Sequence, residues 1–202
     1  MRIRLKNFTV EVSFPLIAVM TAVILYDSGI TAAVCFIAVL LHEGGHLLVL
    51  WYFGSFPKKI RITLFDIAIV DRSKALMDTK KELAVVLAGV TSNFLFATLS
   101  YLLYTITGQT FFSGLIHANL TLAVFNSLPA DSLDGGQALY IVLCRHFPIN
   151  KAICLLDIIS FIVLIPTACL GFLVLLQSKY NFTLLLTSVY LMAAIIIRKR
   201  KY

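Results

Sequence analysis

His42, Glu43 and His46 lie within five residues of one another in LLHEGGHLLV, a stretch that is otherwise aliphatic or glycine. The spacing is H-E-x-x-H. On a helix, residues four apart lie one turn above the other, so both imidazoles point the same way. Two imidazoles so placed can share one tetrahedral Zn²⁺ at roughly 2.0–2.1 Å each. Glu43 leaves the helix at a different angle. It can reach a water on the metal without being a ligand, and can take that water's proton. Such a set supports hydrolysis of an amide.

Two histidines leave zinc short of one protein ligand and an open position for water. His117, Asp131, Asp134 and Asp157 are the candidates for the missing ligand. The reading favours Asp134, where Gly135 and Gly136 let another backbone approach closely. Asp131 suits a helix cap or a water-facing position. Asp157, about two turns after Lys151, suits the membrane interface. His117 suits a packed, hydrogen-bonded histidine on an apolar helix.

The elements that must carry these groups are apolar. The chain has 202 residues, 60% hydrophobic and 13% charged, with a mean hydropathy of +0.94. A soluble domain carries roughly 25% charged residues. The apolar residues fall into blocks long enough to cross a bilayer, which takes roughly 20 residues per helix. The blocks are 13–27, 30–53, 82–106, 111–145 (interrupted), 151–177 and 181–198. The expected fold is therefore an all-α polytopic membrane protein of about six transmembrane helices, forming one domain over 1–202 with core spans in 30–145. Each charge at the bilayer centre costs on the order of 3 kcal/mol, so three ionisable groups in 42–46 demand a function. Block 111–145 breaks at Pro129-Ala130-Asp131-Ser132 and resumes after Gly135-Gly136. Irregular backbone at membrane depth is tolerated only in protein or beside a wet cavity. A discontinuous helix with its break at an internal site is expected.

With the N-terminus in the cytoplasm, all but Lys179 of the 17 Lys and Arg residues fall on the inner side. That bias is what the positive-inside rule requires, and it accounts for the net charge of +7 without a nucleic-acid partner. Both termini are then cytoplasmic. Residues 1–29 begin like a signal peptide, but Glu11 and Pro15 interrupt the apolar part, so a retained first span is expected. Cys35, Cys144, Cys154 and Cys169 form no C-x-x-C pair and read as small apolar packers. His46 is expected roughly 10 Å from the inner end of its span.

The polar stretch 54–81 contains KKIRITLFDIAIVDR, with period-2 patterning rich in β-branched residues. It reads as a small membrane-associated β-hairpin over 58–71, on the cytoplasmic side.

These residues resemble the site-2 protease family of intramembrane zinc metalloproteases. His42-Glu43-Gly44-Gly45-His46 resembles its metal motif. Phe125-Asn126-Ser127-Leu128-Pro129 with Leu133-Asp134-Gly135-Gly136 resembles its second motif, and the segment from Lys81 to Gly89, with Asn93, resembles its third core span. Val90 and Ser132 stand where many members have proline. The resemblance implies that His42, His46 and Asp134 bind one zinc, that Glu43 is the catalytic acid/base, and that Asn126 helps hold substrate or the developing oxyanion. It implies a transmembrane or membrane-associated regulatory protein as substrate, and a membrane regulator as a further partner. Without a PDZ-like insertion, the chain resembles the bacterial sporulation subgroup, which cleaves a membrane-associated pro-sigma factor; the bacterial cell membrane is its implied location. An exposed edge in 58–71 would suit an unwound substrate by strand addition. The competing readings are a non-catalytic membrane metal carrier, which needs the ligands but not Glu43, and an inactive protease homologue.

Overall fold

A computed structural model describes residues 2–5, 8–12, 30–54, 59–62, 67–70, 78–178 and 183–199. They form two compact units, Met1–Val124 and Phe125–Tyr202.

The first unit contains a sheet and two long helices. Strands β1 (Arg2–Leu5) and β2 (Phe8–Val12) pair antiparallel, with Arg2 opposite Glu11. Helix α1 (Ile30–Tyr52) follows. Strands β3 (Lys59–Ile62) and β4 (Ile67–Val70) pair antiparallel, with Lys59 opposite Val70. β2 and β3 pair parallel, Val10 opposite Ile60, which requires a crossover between them; α1 lies in that connection. The order β1-β2-β3-β4 makes this a four-stranded sheet. A hairpin alone was expected. The missed half lies in residues 2–12, where Arg2, Ile3, Arg4 and Leu5 already alternate.

Helix α2 (Thr79–Thr107) ends at Gly108, whose left-handed conformation lets its N–H close on the Tyr104 carbonyl. In α1, Val34, Ala38, His42, His46 and Leu50 are buried, one every four residues. The buried stripe of α2 includes Val85, Gly89, Asn93 and Ala97 at the same interval. Rows four apart on two helices are the surfaces that interdigitate. Trp51 and Tyr52 at the end of α1 are exposed, as are Tyr101 and Tyr104 near the end of α2, which suits aromatic residues at membrane interfaces. Helix α3 (Thr110–Asn126) begins in this unit, and its last two residues fall in the second.

In the second unit, α4 (Asp134–His146), α5 (Ile149–Ser178) and α6 (Thr183–Lys199) follow. Ala130, Leu133, Leu164, Leu191 and Ile195 form its buried core, packed by Phe125, Leu128, Phe161 and Met192. The polar break is thus anchored by apolar side chains on α5 and α6.

Among the described residues there are six helices. Three are long and apolar enough to cross a membrane: α1, α2 and α5; Thr183–Ile197 is a shorter apolar helix. The expected block 111–145 is two helices of 17 and 13 residues, about 26 and 20 Å long at 1.5 Å per residue, each short of the roughly 30 Å hydrocarbon core. The break lies at the expected place, between Asn126 and Asp134. The expected span 13–27 lies outside the described residues.

Candidate metal centre

His42 and His46 occupy adjacent turns of the α1 stripe, and both are buried. Each has its Nδ1 engaged by α2. The His46 Nδ1–H donates to the Val85 carbonyl at 2.7 Å. A carbonyl can only accept, so in the neutral ring the His46 proton is on Nδ1 and Nε2 carries the lone pair. The His42 Nδ1–H donates to Asn93 Oδ1 at 3.0 Å, leaving the same lone pair on its Nε2. The two Nε2 atoms are 3.3 Å apart, with the rings nearly perpendicular at 84°.

Two imidazole Nε2 atoms at that distance can be bridged by one cation. Two ligands at roughly 2.05 Å in a tetrahedral arrangement are about 3.3 Å apart. The histidine pair therefore fits zinc in donor type, tautomer and spacing. His42 and His46 are buried donors of the first unit, and Asp134 is a buried donor of the second.

The approach of α1 to α2 depends on two glycines. A Cβ on Gly45 would sit 2.7 Å from the Ala88 carbonyl oxygen and 2.7 Å from Ser92 Cβ. The Ser92 hydroxyl, beside it, donates to the Leu41 carbonyl at 2.8 Å. A Cβ on Gly89 would meet His46 Nε2, and would lie 2.7 Å from His46 Cε1 and 2.8 Å from His42 Cε1. Gly89 thus leaves the space in which both rings turn inward. Gly44 has nothing within 4 Å of its would-be Cβ, so close packing explains only one of the two glycines in the motif.

Glu43 follows His42 and is half-buried. In the second unit, Asp134 is the first residue of α4 and is buried; a helix N-terminus favours an anionic carboxylate. The loop before it turns by three short bonds: Leu128 N–H to Phe125 O (3.1 Å), Ala130 N–H to Leu128 O (2.8 Å) and Leu133 N–H to Ala130 O (2.8 Å). Cβ atoms on Gly135 and Gly136 would strike the Ser127, Leu128 and Ala130 carbonyls. The glycine pair lets the loop fold back on the first turn of α4. Asn126, half-buried, is the last residue of α3.

His117 is exposed and donates from Nδ1 to the Ser113 carbonyl of its own helix at 2.7 Å. Asp131 does not occupy the N-cap of α4; Leu133 does. The Asp131 backbone N–H donates to Ser160 Oγ at 3.0 Å. Asp157 is 1% exposed on α5, on the buried face that carries Leu156 and Ser160. Sequence reasoning missed the Val85 carbonyl, the space at Gly89 and the contact of Asn93 with His42. The four-residue interval Val85-Gly89-Asn93 was the available signal.

No protein-family model matches the chain. It is 26% identical over 141 residues to stage IV sporulation protein FB of Bacillus subtilis (strain 168), an alignment covering 68% of this chain and 49% of that protein. The chain therefore spans about half the length of that relative. Among solved structures it is similar to the site-2 protease from Methanocaldococcus jannaschii, with a TM-score of 0.65 and 20% identity, over 96% of this chain and 93% of that one. The resemblance carried by the two motifs extends to the whole architecture, and the chain has a site-2 protease fold.

Proposed function

We propose that the chain is an intramembrane zinc metalloprotease that hydrolyses a peptide bond of a membrane-embedded or membrane-associated regulatory protein. The observation that carries this reading is the histidine pair, with both Nδ1 atoms engaged and the Nε2 atoms 3.3 Å apart. His42, His46 and Asp134 would hold the metal. Zinc, when bound, supplies Lewis acidity that makes water nucleophilic near neutral pH. Glu43 takes the proton of the attacking water and passes it to the leaving amine. Asn126, at the end of α3, offers an amide N–H to the substrate carbonyl. α1, about 35 Å long for its 23 residues, puts His46 six residues before Tyr52, or about 9 Å from that end. With the expected topology, both termini are cytoplasmic and the chemistry lies toward the cytoplasmic face. The likeness to a sporulation protein supports processing of a membrane-associated pro-sigma factor as the substrate class.

The second reading is a non-catalytic metal carrier, which the same donor group would also serve. Glu43 separates the two. Co-expression of wild type and Glu43→Gln with single-span and sigma-precursor candidates should give a new fragment with wild type alone. The variant should keep its zinc and lose at least ~10²-fold in rate. Cleavage by Glu43→Gln at the wild-type rate would remove the protease mechanism.

A further inference from the structure

Asn93 is a side-chain amide with no exposure at all, in the middle of an apolar helix. Burying such a group is costly unless it serves a partner, and its amide oxygen is spent on His42 Nδ1. The two histidines are not held alike. His46 leans on a backbone carbonyl, which no side-chain substitution can remove. His42 leans on one replaceable side chain.

The consequence lies in the 3.3 Å gap between the Nε2 atoms. Without an acceptor at Nδ1, His42 gains by moving its proton to Nε2 and donating it to the lone pair of His46. That hydrogen bond would occupy the Nε2 atoms a metal needs. An acceptor at Nδ1 prevents it. We infer that Asn93 is a positioning residue of the metal centre, which holds His42 in its Nδ1–H tautomer and so leaves Nε2 as the atom it offers to zinc. The inference rests on the zinc reading above and assigns the selection of tautomer to α2.

Three variants of the full chain in detergent test it: Asn93→Leu, similar in size without an acceptor; Asn93→Asp, whose carboxylate can only accept when ionised; and Asn119→Leu. Asn119 is equally buried but donates to Leu115 of its own helix. Zinc affinity is read by chelator competition, thermal stability on the same sample, and the histidine tautomers by ¹⁵N NMR of the metal-free protein. Loss of a group that orients a ligand costs roughly ten- to a hundredfold in metal affinity. Asn93→Leu should show that loss, Asn93→Asp should restore binding, and Asn119→Leu should change stability without changing affinity. In the metal-free wild type, His42 should carry its proton on Nδ1. Wild-type affinity in Asn93→Leu, failure of Asn93→Asp to restore it, or a wild-type His42 protonated on Nε2 would each overturn the inference. The NMR result stands even if Asn93→Leu does not fold. A wild type that binds no zinc would instead sink the underlying function, and the tautomer would still decide the role of Asn93.

Discussion

Replacing Gly89 by alanine places one methyl group between the two histidines. Its carbon would lie 2.7 Å from His46 Cε1 and 2.8 Å from His42 Cε1, and would meet His46 Nε2. Carbon atoms at rest against each other stand about 3.5–4.0 Å apart, so the rings must retreat by at least about 0.7 Å. Ligand distances at a metal tolerate only about 0.2 Å. The overpacking is of the kind that costs about 1–3 kcal/mol, and at 1.4 kcal/mol per tenfold this corresponds to roughly 5- to 150-fold in zinc affinity. Against it stands the helix propensity of alanine over glycine, up to about 1 kcal/mol in favour of α2.

The two effects act on different observables. The propensity gain stabilises the metal-free helix whatever the rings do. The clash is relieved most readily by the imidazoles, whose χ angles are softer than the helix backbone. Gly89→Ala should therefore unfold at a temperature close to wild type, with zinc affinity lowered by one to two orders of magnitude. Competition against a calibrated chelator, with a melting curve on the same detergent-solubilised sample, measures both. Wild-type affinity in the variant would refute the placement of the rings against α2. A collapsed melting temperature with unchanged metal stoichiometry would show that the backbone, not the imidazoles, gives way.

The two glycines inside the motif should behave oppositely. Gly44→Ala meets nothing within 4 Å and should raise stability by up to about 1 kcal/mol. Gly45→Ala presses on the Ala88 carbonyl and Ser92 and should lower it by about 1–3 kcal/mol; equal melting temperatures would contradict the packing of α1 on α2. The sheet order also sets where strand addition can be tested. β3 is paired on both sides, so a proline at Ile62 breaks the sheet, whereas among the described residues β4 is paired on one side only. Ile67→Pro and Ala68→Pro remove adjacent N–H groups, one facing β3 and one facing outward. If substrate adds to this edge, cleavage falls in both; undiminished cleavage in the variant that keeps its sheet would exclude strand addition.

What could be read from the chain alone follows from the range of the physics. His42, Glu43 and His46 are related by the helical period, which holds whatever surrounds the helix. Asp134 was legible as a candidate because Pro129 and Gly135-Gly136 break a hydrophobic block where a break is expensive. His117 and Asp157 stood beside it because spacing carries neither burial nor hydrogen bonding: His117 faces outward and bonds its own helix, while Asp157 is buried. The α2 side of the centre was hidden for a different reason. Val85, Gly89, Asn93 and Ala97 at intervals of four mark a stripe, but a stripe names no partner. Only the rotation of α2 against α1 shows that the Val85 carbonyl serves one histidine, Asn93 the other, and that Gly89 makes room for both. The first two strands were missed although Arg2 to Leu5 alternate, because strands of four and five residues gain their stability from pairing, and β2 has its second partner, β3, beyond α1 in sequence. The two glycines of H-E-G-G-H looked alike in sequence, yet they divide along the same line: Gly45 is explained by a contact between helices, and Gly44, which no contact constrains, is where helix propensity alone should set the cost.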